Sequence, residues 1–157
     1  VLRQMQILAT ASSKMVSGQV LDLQAAGKKI DLEHLEKIHL NKTGALIQAA
    51  IMMAATAVYP ANDIAFSVLR QFGRALGLAF QVQDDVLDIT ADTAQLGKTA
   101  GKDEQAEKST YPALMGLDDA KQYAEELHEE AAEALSLLQD NTEQLKAIIA
   151  FLLHRKS

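Results

Sequence analysis

GLAFQVQDDVLD, Gly77 to Asp88, is the stretch whose reading decides the fold. On a helix Gln81, Asp84, Asp85 and Asp88 fall at i, i+3, i+4 and i+7, so four polar side chains share one stripe about 10 Å long. The residues between them, Leu78, Phe80, Val82, Val86 and Leu87, with Ile89 just beyond, are apolar, as the other sides of an interior helix must be. Like charges one turn apart cost roughly 0.2–0.5 kcal/mol per pair even in water, and an uncompensated buried carboxylate costs several times more. The stripe therefore calls for a positive partner. A solvated acidic face is the plain alternative, but such faces mix Lys with Glu, whereas this one holds only Asp and Gln. Short-reach carboxylates in that number suit a hard cation such as Mg²⁺, which keeps much of its water and bridges to phosphates.

Composition agrees with packed helices. The chain has 157 residues, 48% hydrophobic with aromatics at only 4%, and eight Gly and two Pro leave little room for strands and turns. One all-α domain spanning 1–157 is expected. A net charge of −6 without a Lys/Arg stripe argues against nucleic acid. Zero Cys excludes disulfides and thiolate metal sites. No apolar run reaches membrane-span length and no leader opens the chain, so a cytoplasmic protein is expected. The opening VLRQMQILAT, without an initiator Met, reads as mid-helix and suggests a cut chain.

Leu2 to Ala26 reads as a first helix with Met5, Leu8, Met15 and the Val20/Leu21/Leu23 group on one buried side, ended at Gly27. Gln19 and Asp22 are polar among those apolar neighbours. Asp31 is placed to cap a second helix whose buried edge is Leu32, Leu35, Ile38 and Leu40. A long apolar helix follows, interrupted at its start by Lys42, Thr43 and Gly44. A donor, a hydroxyl and a glycine that admits another group make a phosphate contact, although a frayed helix start with a snorkelling Lys gives the same pattern. After the turn at Pro60 the central helix is expected over Ile64 to Ala91. The Thr/Gly/Lys-rich segment beyond it carries Lys98, Lys102 and Lys108, either a solvated loop or cations for a ligand's phosphates. Leu117 to Gln139 and Thr142 to Leu153 read as amphipathic helices, the first with a solvated acidic face. His34, His128 and His154 show no metal-ligand spacing.

Taken together, the chain resembles the C-terminal half of the trans-isoprenyl diphosphate synthases, most closely the farnesyl-producing bacterial members. The matching pieces stand in order: GQVLDL (Gly18–Leu23), HLNKTGAL (His39–Leu46), GLAFQVQDDVLD, LGKTAGKD (Leu96–Asp103), KSTYP (Lys108–Pro112) and the basic terminus at Arg155. The resemblance implies an all-α isoprenoid-synthase bundle around a central cavity, a homodimer, and Mg²⁺-dependent condensation of isopentenyl diphosphate with an allylic diphosphate. It further implies that Asp84, Asp85 and Asp88 serve the metal and that Lys42 and Lys98 hold the allylic diphosphate. Thr43 and Gln81 would line the reacting carbons, with Phe80 against the isopentenyl group. Gln19 and Asp22 would be supporting polar residues, Asp103 and Lys108 would order the loop, and Arg155 or Lys156 would help to close the site.

The departure from the family is large. Its members have two facing aspartate-rich motifs, and here there is one; Asp118–Asp119 continue as AKQ and supply no second. The residues for isopentenyl diphosphate and for product length belong to the other half, so the chain is expected to be a fragment with little activity alone. Alternatives are a geranylgeranyl or polyprenyl synthase, a class I terpene cyclase, and a non-catalytic helical interaction module.

Overall fold

A computed structural model of the chain describes residues 1–60, 62–96 and 109–155. Among these every regular element is a helix: α1 (Leu2–Ala25), α2 (Leu32–His39), a π turn (Leu40–Gly44), α3 (Ala45–Val58), α4 (Ala65–Leu96), α5 (Tyr111–Met115), α6 (Leu117–Ser136) and α7 (Glu143–His154). None is long and apolar enough to cross a membrane.

Local chemistry sets the boundaries. Asp31 caps α2, its side chain accepting from the His34 N–H at 2.8 Å. Asp63 starts α4 by accepting from the Ala65 N–H at 2.8 Å. Thr110 caps α5, a short helix that the sequence reading, which begins the next helix at Leu117, did not expect. Gly116, with φ +94°, makes the bend between them. Asp118 and Asp119 then lie in the first turn of α6, where carboxylates complement the helix dipole.

The 32 residues of α4 make it about 48 Å long, and both main apolar clusters form around it. One joins Phe66, Leu69 and Phe72 to Met52 of α3, Leu135 of α6 and Ile149 of α7. The other joins Leu78, Val82 and Val86 to Leu35, Tyr111 and Leu127. Burying Phe72 completely contributes on the order of 2–3 kcal/mol. The helix extends past the expected end at Ala91 to Leu96.

Two expectations are corrected. Met5, Leu8, Val20 and Leu23 do not form a buried side of α1: they are 62, 45, 47 and 67% exposed. The helix meets the rest of the chain through small residues instead, its buried positions being Ala11 and Gly18, and its apolar stripe faces away. Gly44 does not open space for a phosphate. What approaches it is Gly77 of α4, where an added Cβ would stand 2.9 Å from the Gly44 Cα.

Gly18 is the tighter contact: its Cβ would fall 2.3 Å from the Lys42 backbone nitrogen. Alanine gains roughly 0.5–1 kcal/mol of helix propensity, but overpacking against backbone costs about 1–3 kcal/mol or more. Gly18→Ala and Gly77→Ala should therefore lower the melting temperature by several degrees. Gly44→Ala, whose Cβ meets only ordinary contacts at 3.6 and 3.7 Å, should leave it unchanged or raise it slightly. Equal losses at all three would refute this account of the packing.

His128 is buried in α6, with Nδ1 2.6 Å from the Ala124 carbonyl and Nε2 buried without a partner among the described residues. Desolvation holds its pKa below the ordinary 6.5, which the Ala124 bond and Glu125 oppose. The unfolded chain then binds the proton more readily. Stability should be full above about pH 6.5 and decline as the pH falls toward the lowered folded value. Melting curves from pH 8 to 5 should show a steeper loss for the natural chain than for His128→Leu, and parallel curves would exclude this contribution.

Candidate functional site

The site grows from the π turn. Widening the helix by one residue between α2 and α3 brings Asn41–Gly44 between α1 and α4, where Gly18 and Gly77 leave room for its backbone. Side chains then reach both ways. Lys42 Nζ donates to Asp22 Oδ2 on α1 at 2.6 Å, and Thr43 Oγ1 donates to Gln81 Oε1 on α4 at 3.1 Å. The Lys42–Asp22 pair is about one-third exposed on both sides, so it contributes on the order of 1 kcal/mol at most. A more strongly charged anion can take the lysine from it.

The acidic stripe splits by role. Asp84 Oδ1 accepts from Arg155 Nη2 at 2.5 Å, and the same guanidinium lies 4.3 Å over the Phe80 ring. The arginine side chain is only 15% exposed against 49% for the aspartate. A cation thus already sits against the stripe, as its charge demands. Asp85 turns elsewhere: its Oδ2 accepts from the Tyr111 backbone N–H at 3.0 Å, tying α4 to the start of α5. Asp88 is exposed. Among the described residues no three acidic or histidine side chains converge as a metal cage.

The structure therefore places Asp22, Lys42, Thr43, Phe80, Gln81, Asp84 and Arg155 in three contacts, Lys42–Asp22, Thr43–Gln81 and Arg155 with Asp84 and Phe80, related through chain neighbours on the π turn and α4. Gln19 lies exposed on α1, one turn before Asp22. Lys98, Asp103, Lys108 and Lys156 lie outside the described residues. Sequence reasoning gave no role to His39, whose Nδ1 is 2.8 Å from Gln81 Oε1 and whose ring stacks on Tyr111 at 5.6 Å. The signal available was its place three residues before Lys42. A separate cavity of about 340 Å³ opens between α1 and α3, with Arg3, Lys14 and Met52 in its wall.

Asp85 and Asp88 should respond differently to truncation. A hydrogen bond to a charged acceptor contributes about 1.5–3 kcal/mol, so Asp85→Ala should lower the melting temperature by several degrees while Asp88→Ala leaves it within about a degree. The reverse order would show that the Tyr111 contact does not hold α5.

Residues 2–151 match the family model described as polyprenyl synthetase. The farnesyl diphosphate synthase of Escherichia coli K12 is 45% identical over 153 residues, covering 94% of this chain and 51% of that protein. A chloroplastic geranylgeranyl pyrophosphate synthase of Catharanthus roseus is 48% identical over 126 residues, 80% of this chain and 35% of that one. Among solved structures, the geranyltransferase of Helicobacter pylori complexed with magnesium and isoprenyl diphosphate superposes with a TM-score of 0.76 at 32% identity, over 97% of this chain and 50% of that one. The chain spans about half, or less, of the length of these relatives.

Proposed function

Because the chain belongs to the polyprenyl synthetase family, we propose that it forms the metal- and allylic-diphosphate-binding half of a cytoplasmic, Mg²⁺-dependent prenyltransferase. The reaction is the condensation of isopentenyl diphosphate with an allylic diphosphate to give farnesyl diphosphate. The observation that carries this reading is the Thr43–Gln81 hydrogen bond, which joins the lysine-bearing turn to the aspartate helix one turn before Asp84.

The donor set fits the metal. Asp84 already binds a cation, and Mg²⁺ held with a diphosphate needs only one or two protein carboxylates, which Asp84 and Asp88 supply at i and i+4. Bound there with a diphosphate, Mg²⁺ would neutralise the charge that accumulates on the leaving oxygens. Lys42, and Lys98 from the segment after α4, would grip the same diphosphate, Lys42 exchanging Asp22 for it. Phe80, with the Arg155 guanidinium over its ring, would pack against the isopentenyl group. Thr43 offers an oxygen to the positive carbon as the C–O bond lengthens, where a fixed dipole acts most strongly. The apolar wall of a central cavity would keep water from that carbon. Asp85, whose Oδ2 accepts from the Tyr111 N–H, would order the site and act on the metal directly or through its bound water.

The farnesyl product is proposed on the 45% identity to the farnesyl enzyme; a geranylgeranyl product is the alternative, since a geranylgeranyl synthase matches as much of this chain. The exposed apolar stripe of α1 supports the further reading that a homodimer or the rest of a full-length enzyme covers it.

Calorimetric titration with geranyl thiodiphosphate, a slowly ionising analogue of the allylic substrate, tests this. Binding should require Mg²⁺ and be lost in Asp84→Ala. Arg155→Gln should raise the affinity for Mg²⁺ alone severalfold, since the competing guanidinium is gone. Equal binding with and without Mg²⁺, or in Asp84→Ala, would defeat the proposal.

A further inference from the structure

Gln81 Oε1 has two neighbours, Thr43 Oγ1 at 3.1 Å and His39 Nδ1 at 2.8 Å. An amide can turn either its oxygen or its NH₂ toward such a pair, and the histidine decides which. His39 Nε2 is buried and has no hydrogen-bond partner among the described residues, and neither has the Tyr111 hydroxyl of the ring stacked on it. If Gln81 turned its NH₂ inward, Nδ1 would have to accept, and the proton would sit on Nε2 as a buried, unanswered N–H. An unsatisfied buried group costs about 1–3 kcal/mol, and a buried N–H is left orphaned more rarely than an acceptor lone pair. With the oxygen inward the proton sits on Nδ1 and Nε2 carries only a lone pair. The second arrangement wins.

Its consequence reaches Thr43. With both neighbours donating to Oε1, the hydroxyl hydrogen of Thr43 is committed to Gln81, and Oγ1 can show only lone pairs to anything else. Gln81 keeps its carbonyl oxygen for these two donors and has only its NH₂ left over.

We infer that His39 is a positioning residue: as the Nδ1–H tautomer it locks Gln81 so that Thr43 presents an oxygen lone pair to a positive carbon. The inference rests on the function proposed above, which puts Thr43 beside the developing allylic cation. It also leaves the Gln81 carbonyl oxygen no part in that contact. His39 touches no substrate and acts only through Gln81 and Thr43.

Two measurements on the chain test it. Long-range ¹H–¹⁵N spectra of histidine-labelled protein should show His39 protonated at Nδ1 alone; protonation at Nε2, or at both nitrogens, overturns the inference. Calorimetry in Mg²⁺ should then compare geranyl thiodiphosphate with a 3-aza analogue of geranyl diphosphate, whose protonated amine stands where the cation develops. His39→Leu should weaken the aza analogue about tenfold and leave the thiodiphosphate within twofold, and His39→Asn, whose amide N–H replaces Nδ1–H, should restore most of the loss. Equal weakening of both ligands, or no rescue by Asn, overturns the positioning role. Failure of the unaltered chain to bind either ligand while its tautomer is Nδ1–H would instead defeat the functional proposal and its consequence for Thr43.

Discussion

The close passage of the turn after α2 between Gly18 and Gly77 is the constraint on which the rest depends. Backbone lies against backbone on both sides, at separations that no side chain would permit. Because the turn is held from α1 and from α4 together, Lys42 and Thr43 point to different helices although they are adjacent in sequence. Gly73, whose Cβ would stand 3.0 Å from Ile51 and 3.2 Å from the Gln48 Cα, continues the same close approach along α3. The GxxxG spacing of Gly73 and Gly77 thus fixes the depth at which the polar residues sit.

Charge is balanced inside the chain before any ligand is considered. Asp22 holds Lys42 and Asp84 holds Arg155, so Lys42 and Asp84, which meet the diphosphate and the metal in the proposed reaction, each have a protein partner of opposite sign. These pairs differ in strength for a physical reason. The first is open to water on both sides, whereas the arginine of the second is nearly covered and rests on Phe80, which adds about 0.5–2 kcal/mol by cation–π attraction. Exchange of partners is therefore easier at Lys42 than at Arg155, and the site can be polar and stable at once.

Much of this was legible in the sequence. The 3.6-residue spacing in Gly77–Asp88 placed the aspartates on a helix, and Asp31 as a cap and the turn at Pro60 followed from local backbone chemistry. The side of α1 that is buried was not legible. Periodicity locates an apolar face but not what covers it, and within this chain α1 is gripped by Ala11 and Gly18 while Met5, Leu8 and Leu23 face outward. His39 escaped notice because one histidine beside a polar turn has no pattern; only its distance to Gln81 gives it a role.

By itself, then, the sequence determined the helical class, the acidic stripe and the family resemblance that the family match bears out, because these depend on periodicity and residue type within single segments. Tertiary structure decided what each polar group does. Asp84 and Asp85 are neighbours of one chemistry, yet one faces the Arg155 guanidinium and the other caps the Tyr111 N–H, because consecutive side chains leave a helix about 100° apart and meet different elements. That division arises from which segments are brought against α4, 26 residues away in one case and 71 in the other, and no local pattern contains it.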